Sequence, residues 1–241
     1  MSAVSTPHRF SLNSEHRFFT GTAIAALLVT MIGFAPSWFL MRWSGAPPLP
    51  FIVHIHGAVY TAWVLLYLAQ TTLIAAGQRD LHKALGAGGI ALAAVLIVLG
   101  VVVSIEGARR GAGEPGRDHL AFMINPLTNV VMFAGLLAAA VSQRLRSAYH
   151  KRLMLLAMVP ILTTPLARIS RMLALPVPLP VGGMLLSNLV LLALVAFDIK
   201  ARGRLHPATV WGGGILLLSE VLRVIIGQTA TWKGIAAILV G

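Results

Sequence analysis

The chain contains no cysteine, and only 7 of its 241 residues are acidic, against 19 lysines and arginines. Lack of cysteine excludes disulfides, thiolate metal sites and covalent haem attachment through sulfur. Charge of either sign is scarce, at 11% of residues, which a soluble domain of this length does not sustain. No Ser-His-Asp arrangement, no HExxH pattern and no carboxylate pair placed for acid–base work is visible. Glycine clusters such as Gly86-Ala87-Gly88-Gly89 and Trp211-Gly212-Gly213-Gly214 follow no strand, which removes a phosphate-loop reading and leaves close helix packing.

What remains is apolar: hydrophobic residues make up 57% of the chain and mean hydropathy is +0.84. Runs of about 20 apolar residues recur, the length a helix needs to cross a bilayer. They define an all-α, polytopic transmembrane bundle of about seven spans. These run from about Phe18 to Met41, Phe51 to Gly77, His82 to about Ile105, His119 to Gln143, His150 to about Met172, Val181 to Phe197 and Ala208 to Ile226. Residues 1–17 form a polar, basic segment with no cleavage motif after the first apolar run, so 18–241 is expected to be a single membrane domain. Pro160 and Pro165 are expected to kink the fifth span. The tail from Ala230 to Gly241 is too short to cross again and is expected at the interface.

A net charge of +12 invites a nucleic-acid reading, but the basic residues sit in short breaks between apolar runs. There they act as topology determinants facing anionic headgroups, so the expected partner is the lipid bilayer and not nucleic acid. The breaks at Arg79–Lys83, Arg144–Arg152 and Asp198–Arg204 share a side with the N-terminus. The loop on the other side balances Arg109, Arg110 and Arg117 against Glu106, Glu114 and Asp118. The positive-inside rule therefore makes the N-terminus cytoplasmic, as in a multi-pass protein of a bacterial inner membrane.

Two sets of residues carry chemistry. Histidines His54, His56, His82, His119 and His150 stand near span ends. Two imidazoles on facing helices can ligate one membrane haem. His54 and His56 point about 200° apart on a helix, so only one of them can serve a given centre, and His56, beside Gly57, is preferred. A purely interfacial role competes for His82, His150 and His206. The second set is ionisable: Arg168 and Arg171 share one helix face, as do Glu220 and Arg223. Glu220 lies about 20 Å and Arg168 about 27 Å from the N-terminal face, so both belong to the outer half. Charges at that depth face the bundle interior, either as a plain Glu220–Arg salt bridge or as a pocket for an anionic or quinone-like ligand.

The segments HIHGAVYTAW, LHKALG, YHKRLMLLA and GRLHPATVWGG, in that order, resemble a group of uncharacterised bacterial multi-pass membrane proteins. A weaker resemblance links the histidine pattern to bis-histidine transmembrane b-type cytochromes of the ascorbate-reducing kind. That resemblance implies haem b, with His56 (or His54) and His119 as the outer metal ligands and His82 and His150 as the inner pair. Two functions follow as expectations. One is a histidine-ligated redox carrier moving electrons within or across the membrane. The other is a non-redox small-molecule permease, or an accessory subunit packed against a larger membrane protein complex.

Overall fold

The computed structural model describes residues 12–45, 48–113, 116 and 118–241. The N-terminal residues 1–11, two positions of the SGAPPLP break, and Glu114, Pro115 and Arg117 lie outside that set. Seven helices are long and apolar enough to cross a membrane, and among the described residues there is no strand. The chain is an integral membrane protein by this criterion. Helix α1 (Leu12–Phe34) continues through a π-helical turn (Ala35–Phe39) into the short α2 (Met41–Ser44). Then come α3 (Phe51–Ala75), α4 (Arg79–Arg109), α5 (His119–Ser142), α6 (Ser147–Met172), α7 (Leu179–Arg202), α8 (Pro207–Gly227) and the short α9 (Ala230–Val240). Polar residues lengthen several helices past the apolar runs that mark them in the sequence. Thus α1 opens six residues before Phe18, and α4 extends on both sides of the His82–Ile105 run.

Helix α6 is the axis. Its apolar window is 78% buried, whereas no other span exceeds 44%, and α1, α5, α7 and α8 all pack on it. Small residues allow the closest crossings. A Cβ added at Gly33 would lie 2.5 Å from the Pro165 carbonyl oxygen, and one at Gly183 would lie 2.5 Å from that of Thr163. Both α1 and α7 therefore approach the α6 backbone directly, as membrane helices do at small-residue contacts. Helix α3 packs on α1 and α4 and reaches the core through Tyr60, Trp63, Val64 and Tyr67. Leu28, Val98, Leu189, Leu218 and Ile225 are among the large apolar side chains left exposed on the outer surface, where lipid suits them.

At the N-terminal face, α6, α7 and α8 are tied by one buried network. The Arg152 guanidinium donates to Asp198 Oδ1 through Nε (2.8 Å) and Nη2 (2.6 Å). Asp198 Oδ2 accepts from the Thr209 hydroxyl (2.5 Å) and the His206 backbone N–H (3.1 Å). Asp198 is wholly buried and Arg152 only 3% exposed. Breaking such a pair leaves a lone charge in an apolar interior, which costs about 3–5 kcal/mol, while replacing both partners costs far less. Glu15 of α1 reaches the same end of the bundle and pairs with Lys151.

At the far face, α9 docks on α4 and α5. Lys233 meets Asp118 (3.0 Å), the Trp232 indole donates to the Leu120 carbonyl (2.9 Å), and Arg109 Nε donates to the Val240 carbonyl (2.7 Å). The hydrogen bond from Lys233 holds the Asp118 carboxyl below the usual carboxylate range. Asp118 also caps α5, accepting from the N–H groups of Leu120 and Ala121.

Two outcomes check this account. Asp198→Asn and Arg152→Met, each alone, should lower thermal stability in detergent strongly, and the double variant should recover most of the loss. Additive losses would show that the pair is not coupled. The second concerns His206, whose ring Nδ1 accepts the Ala208 N–H (3.0 Å) and caps α8. Burial pushes its imidazole pKa down to about 4. The neutral form is thus the folded form, and its contribution is complete above the ordinary value of about 6.5. Stability should fall, by up to about 3 kcal/mol, as pH drops from there through about 4. His206→Asn, which keeps a capping acceptor, should flatten that pH dependence.

Candidate functional site

The half of the bundle remote from the N-terminal face, which the charge pattern would place outermost, opens into a cavity of about 450 Å³ between α3, α4, α5, α6, α7 and α8. Helix interruptions frame it. Pro126 of α5 and Pro160 of α6 both line the wall, and each leaves the carbonyl four residues earlier without its helical donor. At Pro126 that carbonyl is Phe122, and the Asn125 side chain supplies the missing donor (3.0 Å). The walls are otherwise mostly apolar: Leu96, Val103, Phe133, Ile161 and Met184. A smaller cavity of about 170 Å³ shares His56, Tyr60 and Arg168 with it.

Four arginines reach the cavity, and no acidic side chain lines it among the described residues. Arg110 pairs with Glu106 (3.5 Å). Arg223 is 3% exposed, donating through Nη1 to Asn129 Oδ1 (2.7 Å) and through Nη2 to the Ser219 hydroxyl (3.2 Å). Arg168 donates to the Ser37 hydroxyl (2.6 Å) and lies over the Phe34 ring, 4.8 Å from its centre. Among the described residues, no carboxylate comes within 4.0 Å of Arg168, Arg171 or Arg223. Arg168 and Arg223 meet neutral oxygens and, for Arg168, an aromatic face. Arg223 is buried, Arg168 half-buried and Arg171 exposed in the last turn of α6, and three cations on one largely apolar cavity attract an anion.

Glu220 departs from the expected salt bridge. It accepts a hydrogen bond from Asn188 Nδ2 of α7 (2.8 Å) and does not line the cavity. Arg223, one turn along α8, lies beyond ion-pair distance from it. One helical turn puts Arg223 inward and Glu220 toward α7, a distinction of rotation that i,i+3 spacing alone does not resolve.

The histidines separate into three groups. His56 lines the cavity with its ring 5.6 Å from that of Tyr60, and its buried Nδ1 has no protein partner. His54 points elsewhere on α3 and accepts from the Trp38 indole (3.2 Å). His119 is exposed at the first residue of α5 and does not line the cavity, so the outer His56–His119 pair is not assembled. At the N-terminal face, by contrast, His82 and His150 meet across α4 and α6 with ring centres 6.4 Å apart and planes at 85°. His150 Nδ1 lies 2.8 Å from the Ala140 carbonyl, a contact that makes it the protonated nitrogen and leaves Nε2 as the free acceptor. Among the described residues, no cluster of three or more metal-ligating side chains exists.

Several contributors escape a sequence reading. Asn125 and Asn129 sit in an apolar run with no motif around them. Arg110 reads as a loop charge, and Asp198 reads as part of a polar break. Their only sequence signal is polarity within or beside a span. No family model matches the chain, and no curated protein or solved structure matches it either.

The Glu220 geometry has a direct check. A double-mutant cycle of Glu220→Gln with Asn188→Ala should show coupling of about 1.5–3 kcal/mol, the range for a hydrogen bond to a charged group. The cycle of Glu220→Gln with Arg168→Gln should be additive. Coupling to Arg168 and none to Asn188 would contradict the geometry.

Proposed function

We propose that the chain is a membrane-embedded binding protein whose outer-half cavity takes an amphipathic anion, an acidic head on an apolar or quinone-like body. The observation that carries this reading is the convergence of buried Arg223, half-buried Arg168 and the exposed Arg171 on one apolar-walled cavity without a lining carboxylate. Buried cations are costly unless compensated, and an anionic head supplies the compensation. A head bound there receives charge-assisted hydrogen bonds from the guanidiniums, the strongest class of polar contact. His56 offers one more polar contact, and the apolar walls accommodate the body. The arrangement suits the binding step of a small-molecule permease or of a subunit that holds a ligand for a larger complex.

Thermal-shift titration of the detergent-purified protein tests this. Decyl phosphate and dodecanoate should stabilise it, whereas dodecyltrimethylammonium should not. Arg223→Gln and Arg171→Gln should each weaken the anion effect about 10- to 100-fold, the equivalent of one charge-assisted contact. Equal stabilisation by cationic and anionic amphiphiles would overturn the reading.

A second reading, a histidine-ligated haem b carrier, is favoured by one observation, the His82–His150 pair. Two metal–imidazole bonds of about 2 Å each, plus the ring radii, put the ring centres of a bis-imidazole site about 6 Å apart. The 6.4 Å separation fits that spacing, and the His150–Ala140 contact is the outer-shell bond typical of a ligating histidine. The outer histidines do not fit, because His119 stands away from the cavity. The reading therefore extends to one haem and not two. A bound haem would supply one-electron chemistry; the chain's own part is to hold two neutral imidazoles in place. The visible spectrum after haem-replete expression should show a low-spin Soret band lost in His82→Ala and in His150→Ala but kept in His54→Ala. A featureless spectrum would sink it.

A further inference from the structure

Helix α3 carries a second pattern. His56, Tyr60, Trp63, Tyr67 and Gln70 follow one another at intervals of four, three, four and three, so they lie along one face. Each has a buried polar side-chain atom with no protein partner: His56 Nδ1, the Tyr60 hydroxyl, Trp63 Nε1, the Tyr67 hydroxyl and Gln70 Oε1. Together they account for more than half of such atoms among the described residues. The hydroxyl of Thr22, beside Tyr67, donates its own proton to the Phe19 carbonyl (2.8 Å), so toward Tyr67 it offers an acceptor lone pair and no proton. The row opens on the outer cavity at His56 and Tyr60. At its other end His82 of α4 faces the Gln70 backbone carbonyl; its buried Nδ1 also lacks a partner, and its ring faces His150.

Buried polar groups are ordinarily satisfied by protein or by ordered water, and each left bare carries its full desolvation penalty. Six along one seam make a dry interior untenable, and internal water is the partner such sites take. Successive groups are one helical turn apart, a rise of about 5 Å, which a single bridging water spans. Tyrosine hydroxyls and imidazoles both donate and accept. The Gln70 carbonyl oxygen accepts, and Trp63 only donates, so at that step water does the relaying.

We propose that this face of α3 lines a hydrated seam that conducts protons between the outer cavity and the His82–His150 pair at the N-terminal face. A proton taken up at one mouth is matched by one released at the other, so no group is consumed and one positive charge crosses. The charged and titratable groups near the path are Arg110 of α4, Arg168 and Arg171 of α6 and Arg223 of α8 at the outer end. At the other end they are Lys83 of α4 and His150 of α6. The guanidiniums repel an arriving proton, which places the highest barrier at the cavity end. The seam does not depend on the anion reading, since it rests on α3 and not on the occupant of the cavity.

Liposomes holding the purified full-length protein and internal pyranine test it, with valinomycin and a potassium gradient driving proton entry. The wild type should acidify the lumen faster than protein-free liposomes. Tyr67→Phe and Gln70→Leu should each cut the rate several-fold, and Thr72→Ala, on the exposed side of α3, should leave it unchanged. Arg168→Gln should raise the rate, a direction that general loosening of the fold does not predict for one residue while Tyr67→Phe lowers it. Where Tyr67→Phe is not monodisperse, Tyr60→Phe carries the same expectation. Wild-type flux equal to that of empty liposomes, or flux indifferent to both tyrosines, overturns the proposal.

Discussion

One carboxylate at the N-terminal face holds the bundle in register. Asp198 is wholly buried, yet both its oxygens are occupied by donors from α6, α8 and the turn between α7 and α8. A charge in that position is tolerable only when every lone pair is answered. The geometry of three helices is thus specified by a single side chain in a way that apolar packing alone, with lipid on the other side, does not achieve. The α6 axis is fixed at this end and open at the other, where prolines interrupt α5 and α6 and the cavity forms.

The two ends consequently differ in chemistry. At the N-terminal face, cations meet carboxylates directly: Lys151 with Glu15, Arg152 with Asp198. In the outer half, cations meet neutral oxygens and a ring face. The same residue type therefore serves opposite purposes on one helix. Arg152 is saturated and structural, whereas Arg168, more than four turns further along α6, keeps its charge available to the cavity.

Much of this was legible before any coordinates. Seven spans, their approximate limits and the outer-half position of Arg168, Arg171 and Arg223 follow from run length and the cost of charge in a bilayer. The divergence of His54 and His56 follows from the helical period. What the sequence hides is rotation and partner choice. Glu220 and Arg223 share a helix face by spacing, yet one meets Asn188 and the other Asn129. Asp198 stands in a run that reads as a polar break, although Gly203 with its positive φ ends α7 only after the carboxylate has turned inward. The stripe on α3 is visible as aromatic periodicity, but aromatic residues at helical spacing are usually core. Only the lack of partners distinguishes this one.

The scarcity of acid ties composition to the cavity. Seven acidic residues serve nineteen lysines and arginines. Glu114 lies outside the described residues. The other six are each engaged away from the three cavity arginines: Glu15 with Lys151, Asp80 with Lys83, Glu106 with Arg110, Asp118 with Lys233, Asp198 with Arg152, and Glu220 with Asn188. Four of the six, Glu15, Asp80, Glu106 and Asp118, form partly or fully exposed pairs, where screening makes them worth little. The one fully buried pair, Asp198–Arg152, is also the most completely hydrogen-bonded. Arg168 and Arg223 within their spans, and Arg171 exposed in the last turn of α6, are thus left with no carboxylate among those six. A chain under no demand to bind an anion could have carried leucine at these positions at lower cost, since apolar residues of similar volume are as stable as a buried ion pair or more so. Retaining Arg168 and Arg223 beside one cavity without a carboxylate is the costly alternative, and the anion proposed above is what would make it tolerable.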